Sequence, residues 1–122
     1  MENLSFGVRD AGNQKARLME MKEDIIRLII EETIPYFKEI FLFGSRARNN
    51  SRMDSDFDIL VIVDAKGVAR RHLIELGAEV RRRCAKAGID IDIIVRDREY
   101  AMCMKDFPGN IISEALSYGV QI

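Results

Sequence analysis

Residues 43 to 63 read FGSRARNNSRMDSDFDILVIV, and the fold turns on how this stretch is parsed. Phe57 to Val63 is rich in β-branched residues and reads as a buried strand. The preceding EIFLFG, residues 39 to 44, reads as another, stopped by Gly44. The polar residues 45 to 55 between them form a turn or short helical connection, too short for the dozen or more residues of a parallel crossover. The two strands are therefore expected not to be parallel neighbours. The three aspartates of this stretch, Asp54, Asp56 and Asp58, stand directly ahead of the apolar run, where carboxylates repel one another and the core.

Working outward, Leu18, Met21, Ile25, Leu28 and Ile29 recur at helical spacing. They predict an amphipathic helix from Lys15 to about Tyr36, ended by Pro35, with residues 1 to 14 as a polar lead-in. Leu73, Leu76, Val80 and Cys84 form one stripe of a second helix between Gly67 and Lys86, with Gly88 at its C-terminal cap. IDIDIIV, residues 89 to 95, is a third strand. RDREYAMCMKDFPGN then connects to a short helix over 111 to 117 and an apolar tail, VQI. Interleaved helices and strands predict an α/β (α+β) domain, a mixed sheet with helices packed on it.

At 122 residues the chain is sized for one domain, residues 15 to 122. A hydrophobic content of 48% with 32% charged residues is ordinary for a globular protein, and a net charge of −1 gives no global pull toward nucleic acid or membrane. No apolar run reaches the roughly 20 residues of a membrane span, and the first residues lack a signal-peptide core. A cytoplasmic protein with two reduced, buried thiols, Cys84 and Cys103, is expected. His72, the one histidine, reads as a surface residue, and the cations of ARRH and VRRRCAK read as a solvated helix face. Direct nucleic-acid binding is not expected. The methionines, among them Met19, Met21, Met102 and Met104, read as core gap-fillers.

Side chains alternate along a strand, so Asp56 and Asp58 share one face, their backbones roughly 6.6 Å apart. Asp92 alternates with Ile91 and Ile93 on a strand expected beside them. Three such carboxylates suit Mg²⁺, which takes oxygen ligands and leaves positions open for phosphates. Upstream, Gly44 allows close backbone approach to a phosphate, Ser45 adds a hydroxyl and an N–H, and Arg46 or Arg48 can add positive charge. Asp54, ahead of the strand, reads as a turn residue.

Gly44-Ser45, ten residues, then Asp56-x-Asp58 resembles the signature of the DNA polymerase β-like nucleotidyltransferase superfamily. The string LFGSRARNNSRMDSDFDILV and the chain length resemble its minimal nucleotidyltransferases (MNT), and IDIDIIVRDREY matches the third acidic position at Asp92 rather than Asp90. Asn49 stands where the family commonly has glycine. The resemblance implies a Mg²⁺-dependent enzyme that moves a nucleoside monophosphate, AMP from ATP, to a hydroxyl. Asp56 and Asp58 would bind two Mg²⁺ ions, one arriving with the triphosphate. Asp92 would join the second and help deprotonate the attacking hydroxyl, while Gly44, Ser45 and Arg46 hold the nucleotide.

The acceptor implied is a tyrosine of a helical HEPN toxin, with this chain as the antitoxin. Apolar residues uncovered on the helix of residues 15 to 36, or near the C-terminus, would be the docking surface. A small-molecule transferase of the aminoglycoside-modifying kind and a non-catalytic partner-binding module stay open. So do base preference and assembly as monomer, homo-oligomer or hetero-oligomer.

Overall fold

The computed structural model describes residues 11–44 and 56–122. The chain runs α1 (Ala11–Thr33), β1 (Lys38–Phe43), β2 (Phe57–Val63), α2 (Arg70–Lys86), β3 (Ile91–Asp97), α3 (Arg98–Met104), α4 (Ile111–Tyr118) and β4 (Val120–Gln121). The four strands form one sheet in the order β3-β2-β1-β4. β1 pairs antiparallel with β2, and β2 pairs parallel with β3 through the crossover helix α2. This is the mixed α+β sheet expected. Among the calls on the unpaired stretches, the turn of residues 45 to 55, with Ser45, Arg46, Arg48, Asn49 and Asp54, lies outside the described residues, as do residues 1 to 10.

β2 is covered on both faces, which is why its sequence loses alternation after Asp58. Phe57, Ile59, Val61 and Val63 enter a core with Ile26, Ile30 and Ile34 of α1 and Leu73, Val80 and Cys84 of α2. Leu60 and Ile62, facing the other way, join Phe43 beneath Ala101 of α3 and Ile112 and Ala115 of α4. The result is a three-layer sandwich, helices on either side of one sheet.

α2 ends as glycine chemistry dictates. Gly88 takes φ 81°. Its N–H donates to the Ala85 carbonyl and the Ile89 N–H donates to the Cys84 carbonyl, each at 2.9 Å. These two bonds cap the last turn and turn the chain into β3.

Several expectations are corrected. Of Leu18, Met21, Ile25, Leu28 and Ile29, only Ile29 reaches the core: the other four are exposed, Met21 by 59% and Leu28 by 58%. α1 carries two apolar stripes, and the isoleucines at 26, 29, 30 and 34 are the ones that join β1 and β2 in the core. α1 already includes Ala11, ahead of Lys15, and stops at Thr33, since Ile34 precedes Pro35 and is pushed from helical geometry. The stretch after β3 is helical, as α3, with the Asp97 side chain accepting from the Glu99 N–H. The tail is a strand, β4, because β1 presents an open edge where Phe41 and Leu42 pair with Gln121 and Val120. Cys84 is buried but Cys103 is exposed. Met21 and Met102 are exposed rather than core.

No helix among the described residues is long and apolar enough to cross a membrane. His72 is exposed, as expected, 3.9 Å from Glu75.

Candidate active site

The site lies where β1 ends and β2 and β3 begin. Gly44 closes β1 with φ 72°, a left-handed backbone that L side chains avoid. Phe43 is the register partner of Asp58 on β2, and Asp58 is the register partner of Asp92 on β3. Asp58 and Asp92 are therefore neighbours on adjacent strands, on the face that also carries Leu60 and Ile94. Gly44 is needed here for a second reason: a Cβ added to it would overlap Asp58 Oδ2. The glycine thus seats a carboxylate against bare backbone.

Asp58 is half-buried, and burial is the main cause that raises its carboxyl above the usual carboxylate range. The charges of Asp92, Asp56 and Glu114 raise it further, in that order. Asp90 is not among these causes, so of the two candidates for a third carboxylate it is Asp92 that acts on Asp58. Asp90 stands just outside β3, its carbonyl accepting from the Phe57 N–H at 3.1 Å. Asp56, exposed and one residue ahead of β2, lines a hollow of about 260 Å³ with Asp90 and Arg81.

Glu114 was missed by the sequence reading. It enters because α4 folds back over β1 and β2, with the Asn110 side chain accepting from the Ser113 N–H at 2.9 Å to start the helix. No local signal marks it, since an acidic residue in a first helical turn is ordinary N-terminal dipole compensation.

None of Asp56, Asp58, Asp92 and Glu114 forms an ion pair among the described residues. Nor do any three acidic, cysteine or histidine side chains among them come close enough to hold one metal ion together. What the structure shows is an acidic pair on neighbouring strands, a third and fourth carboxylate within electrostatic reach, and no ion pair to any of them among the described residues. Clustered hard oxygen donors of one charge sign fit a hard divalent cation.

The raised Asp58 pKa has a stability consequence. Between the ordinary carboxylate pKa and the raised value, the folded chain holds more protons than the unfolded chain. Stability contributed at low pH is thus lost as pH rises through that window. Asp58→Asn mimics the protonated form and removes the loss. Thermal melts in chelator are expected to show the variant more stable than the parent at neutral pH, the gap closing below about pH 4. A gap that stays constant with pH would contradict the raised value.

The family model for "Polymerase beta, Nucleotidyltransferase" matches residues 23–112, which include Gly44, Asp56, Asp58 and Asp92. The chain belongs to the polymerase β nucleotidyltransferase family. It is accordingly a member of a transferase family, and its fold has solved counterparts. A candidate nucleotidyltransferase from Sulfolobus solfataricus superposes with TM-score 0.55 at 22% identity, over 99% of this chain and 89% of that one. A toxin–antitoxin structure with AMP-PNP superposes with TM-score 0.52 at 22% identity, over 82% of this chain and 70% of that one. At that identity these likenesses speak for the nucleotidyltransferase fold. No curated protein gives a significant match to the sequence.

Proposed function

We propose that this chain is a Mg²⁺-dependent nucleotidyltransferase that moves AMP from ATP to a hydroxyl, the acceptor being a tyrosine of a HEPN-type toxin. The observation that carries the reading is the pairing of Asp58 with Asp92 across neighbouring strands, against the bare backbone of Gly44. Family membership supports a nucleotide substrate and a divalent metal. The likeness to a toxin–antitoxin structure holding AMP-PNP supports ATP as donor and a toxin as partner.

In this reading Asp56, Asp58 and Asp92 are the residues that would hold Mg²⁺, two ions counting the one carried by the triphosphate. Asp56 is exposed, and bringing it to the other two costs side-chain entropy and carboxylate repulsion, which the charge of the metal would offset. The metal, when bound, supplies positive charge for the phosphates and for the charge that develops on pyrophosphate. Asp92, exposed beside Asp58, accepts the proton of the acceptor hydroxyl. That oxygen forms its bond to the α-phosphorus as the bond to the bridging oxygen breaks and pyrophosphate leaves. Gly44, Ser45 and Arg46 orient the triphosphate, so positioning and electrostatics supply most of the acceleration. The uncovered stripe Leu18, Met21, Ile25 and Leu28 on α1 is the surface offered to the toxin. A cytoplasmic location belongs to the same proposal.

The test is incubation with α-labelled ATP, Mg²⁺ and a purified HEPN-type protein. Label is expected on a tyrosine of that protein, and none without Mg²⁺. Label on an aminoglycoside but not on protein would move the reading to a small-molecule transferase. Neutralisation of the partner by an Asp56→Ala/Asp58→Ala double variant would reduce the chain to a binding module.

A further inference from the structure

β3 is a terminal strand of the sheet, and among the described residues no strand lies on its far side. The Phe57 N–H bonds to the Asp90 carbonyl, so strand alternation turns the backbone groups of Asp92, Ile94 and Arg96 toward β2. Those of Ile91, Ile93, Val95 and Asp97 point outward, unpaired by any strand. Such an edge is a template for another strand.

Arg96 marks this edge. Its Nη1 reaches back 2.9 Å to the Val95 carbonyl, one of the outward groups. Its Nε is buried with no hydrogen-bond partner among the described residues. Burial and the nearby Arg70 charge both lower its pKa, with a weaker opposing contribution from Tyr100. Arg70 itself stands over the Tyr100 ring at 5.4 Å and forms no ion pair among the described residues. A desolvated guanidinium beside a second cation calls for a carboxylate, and this chain supplies one four residues upstream on the same face, at Asp92.

We propose that the β3 edge pairs antiparallel with β3 of a second copy, about a two-fold axis at Ile94. The sheets of the two chains then become continuous. In this register Asp92 lies opposite Arg96 of the second copy and Arg96 opposite its Asp92, while Ile93 and Val95 exchange backbone hydrogen bonds. Each chain places the same groups on both sides of the axis, the self-complementarity a two-fold contact requires. Asp92 and Arg96 fall at the pairs without mutual hydrogen bonds, where Cα atoms approach to about 4.5 Å and side chains meet most closely. Sliding the copies by four residues either way sets Asp92 against Asp92 or Arg96 against Arg96. The Val95 carbonyl passes from Arg96 to the Ile93 N–H of the second copy, and the freed guanidinium turns to its Asp92.

On the other face, a hollow of about 500 Å³ opens beside β3, lined by Ile74, Gly77, Ala78, Arg81, Arg82 and Ile93 among others. Ile74 is half exposed there. In the dimer Asp92 is paired to Arg96 of the second copy, so the contact competes with the metal-holding and proton-accepting roles given to Asp92. That bearing on activity rests on the role of Asp92 proposed above, but the association does not.

The experiment is sedimentation of the full chain, without nucleotide, from micromolar to high-micromolar concentration. A dimer is expected. Arg96→Asp and Asp92→Arg, each alone, are expected to weaken it by about a hundredfold, the scale of reversing two interfacial ion pairs. Mixed together they restore a heterodimer, which also shows that both variants fold. Ile94→Cys in a Cys103→Ser background is expected to give an interchain disulfide under mild oxidation, and Ile93→Cys in that background is not. A single-chain mass at every concentration would overturn the proposal, as would a dimer indifferent to both charge reversals. These readouts are independent of transfer activity, so a failed dimer and a failed enzyme assay are distinguishable.

Discussion

Asp58→Asn is expected to lower nucleotidyl transfer by at least about a hundredfold, more than loss of a group that merely orients a metal ligand. Asn keeps the size of the side chain and its fit against Gly44, but it removes the charge on the half-buried member of the acidic set. The same change relieves repulsion from Asp92, Asp56 and Glu114, so the folded chain is expected to melt no lower than the parent at neutral pH. Loss of activity without loss of stability separates a residue doing chemistry from one holding the fold. The check is transfer from labelled ATP at saturating Mg²⁺ alongside a thermal melt. Near-normal turnover would remove the proposed mechanism.

Gly44→Ala is expected to damage both quantities. Its φ of 72° costs an L residue about 1–2 kcal/mol. The new Cβ also overlaps Asp58 Oδ2, so either the carboxylate or the end of β1 must shift. A displacement of about 1 Å at a reacting centre can cost on the order of a hundredfold in rate. The expected result is a lower melting temperature together with a transfer rate reduced by about that factor. A Gly44→Ala/Asp58→Asn double variant should lose less activity than the two single losses multiplied, because both act on one carboxylate. Full additivity would mean that Gly44 serves the site by another route.

Much of the fold could be read directly. β2 and β3 are β-branched runs of strand length, and α2 is bounded by its own stripe and by Gly88. A chain that must cross over between them has room for a parallel pair there and not between β1 and β2. The acidic positions were equally visible, since Asp58 and Asp92 each alternate with apolar residues of a strand. Where the reading failed, the deciding partner was distant in sequence. α1 offers two apolar stripes, and periodicity cannot say which one a sheet will cover. β4 comprises two residues and is a strand only because β1 has an edge to give it. α3 is seven residues long, too short for periodicity to declare it.

Local chemistry therefore determined the longer helices and the strands β1, β2 and β3, where glycine must interrupt them, and which carboxylates stand near strand starts. These depend on backbone sterics and on side-chain alternation over a few residues. Tertiary structure alone decided that Asp58 lies against Gly44, that Glu114 joins its field, that α1 leaves Leu18, Met21, Ile25 and Leu28 in solvent, and that β3 ends the sheet. Each of these depends on which surfaces are left over once the sheet has chosen its neighbours, and burial is a property of the assembled layers rather than of any one segment.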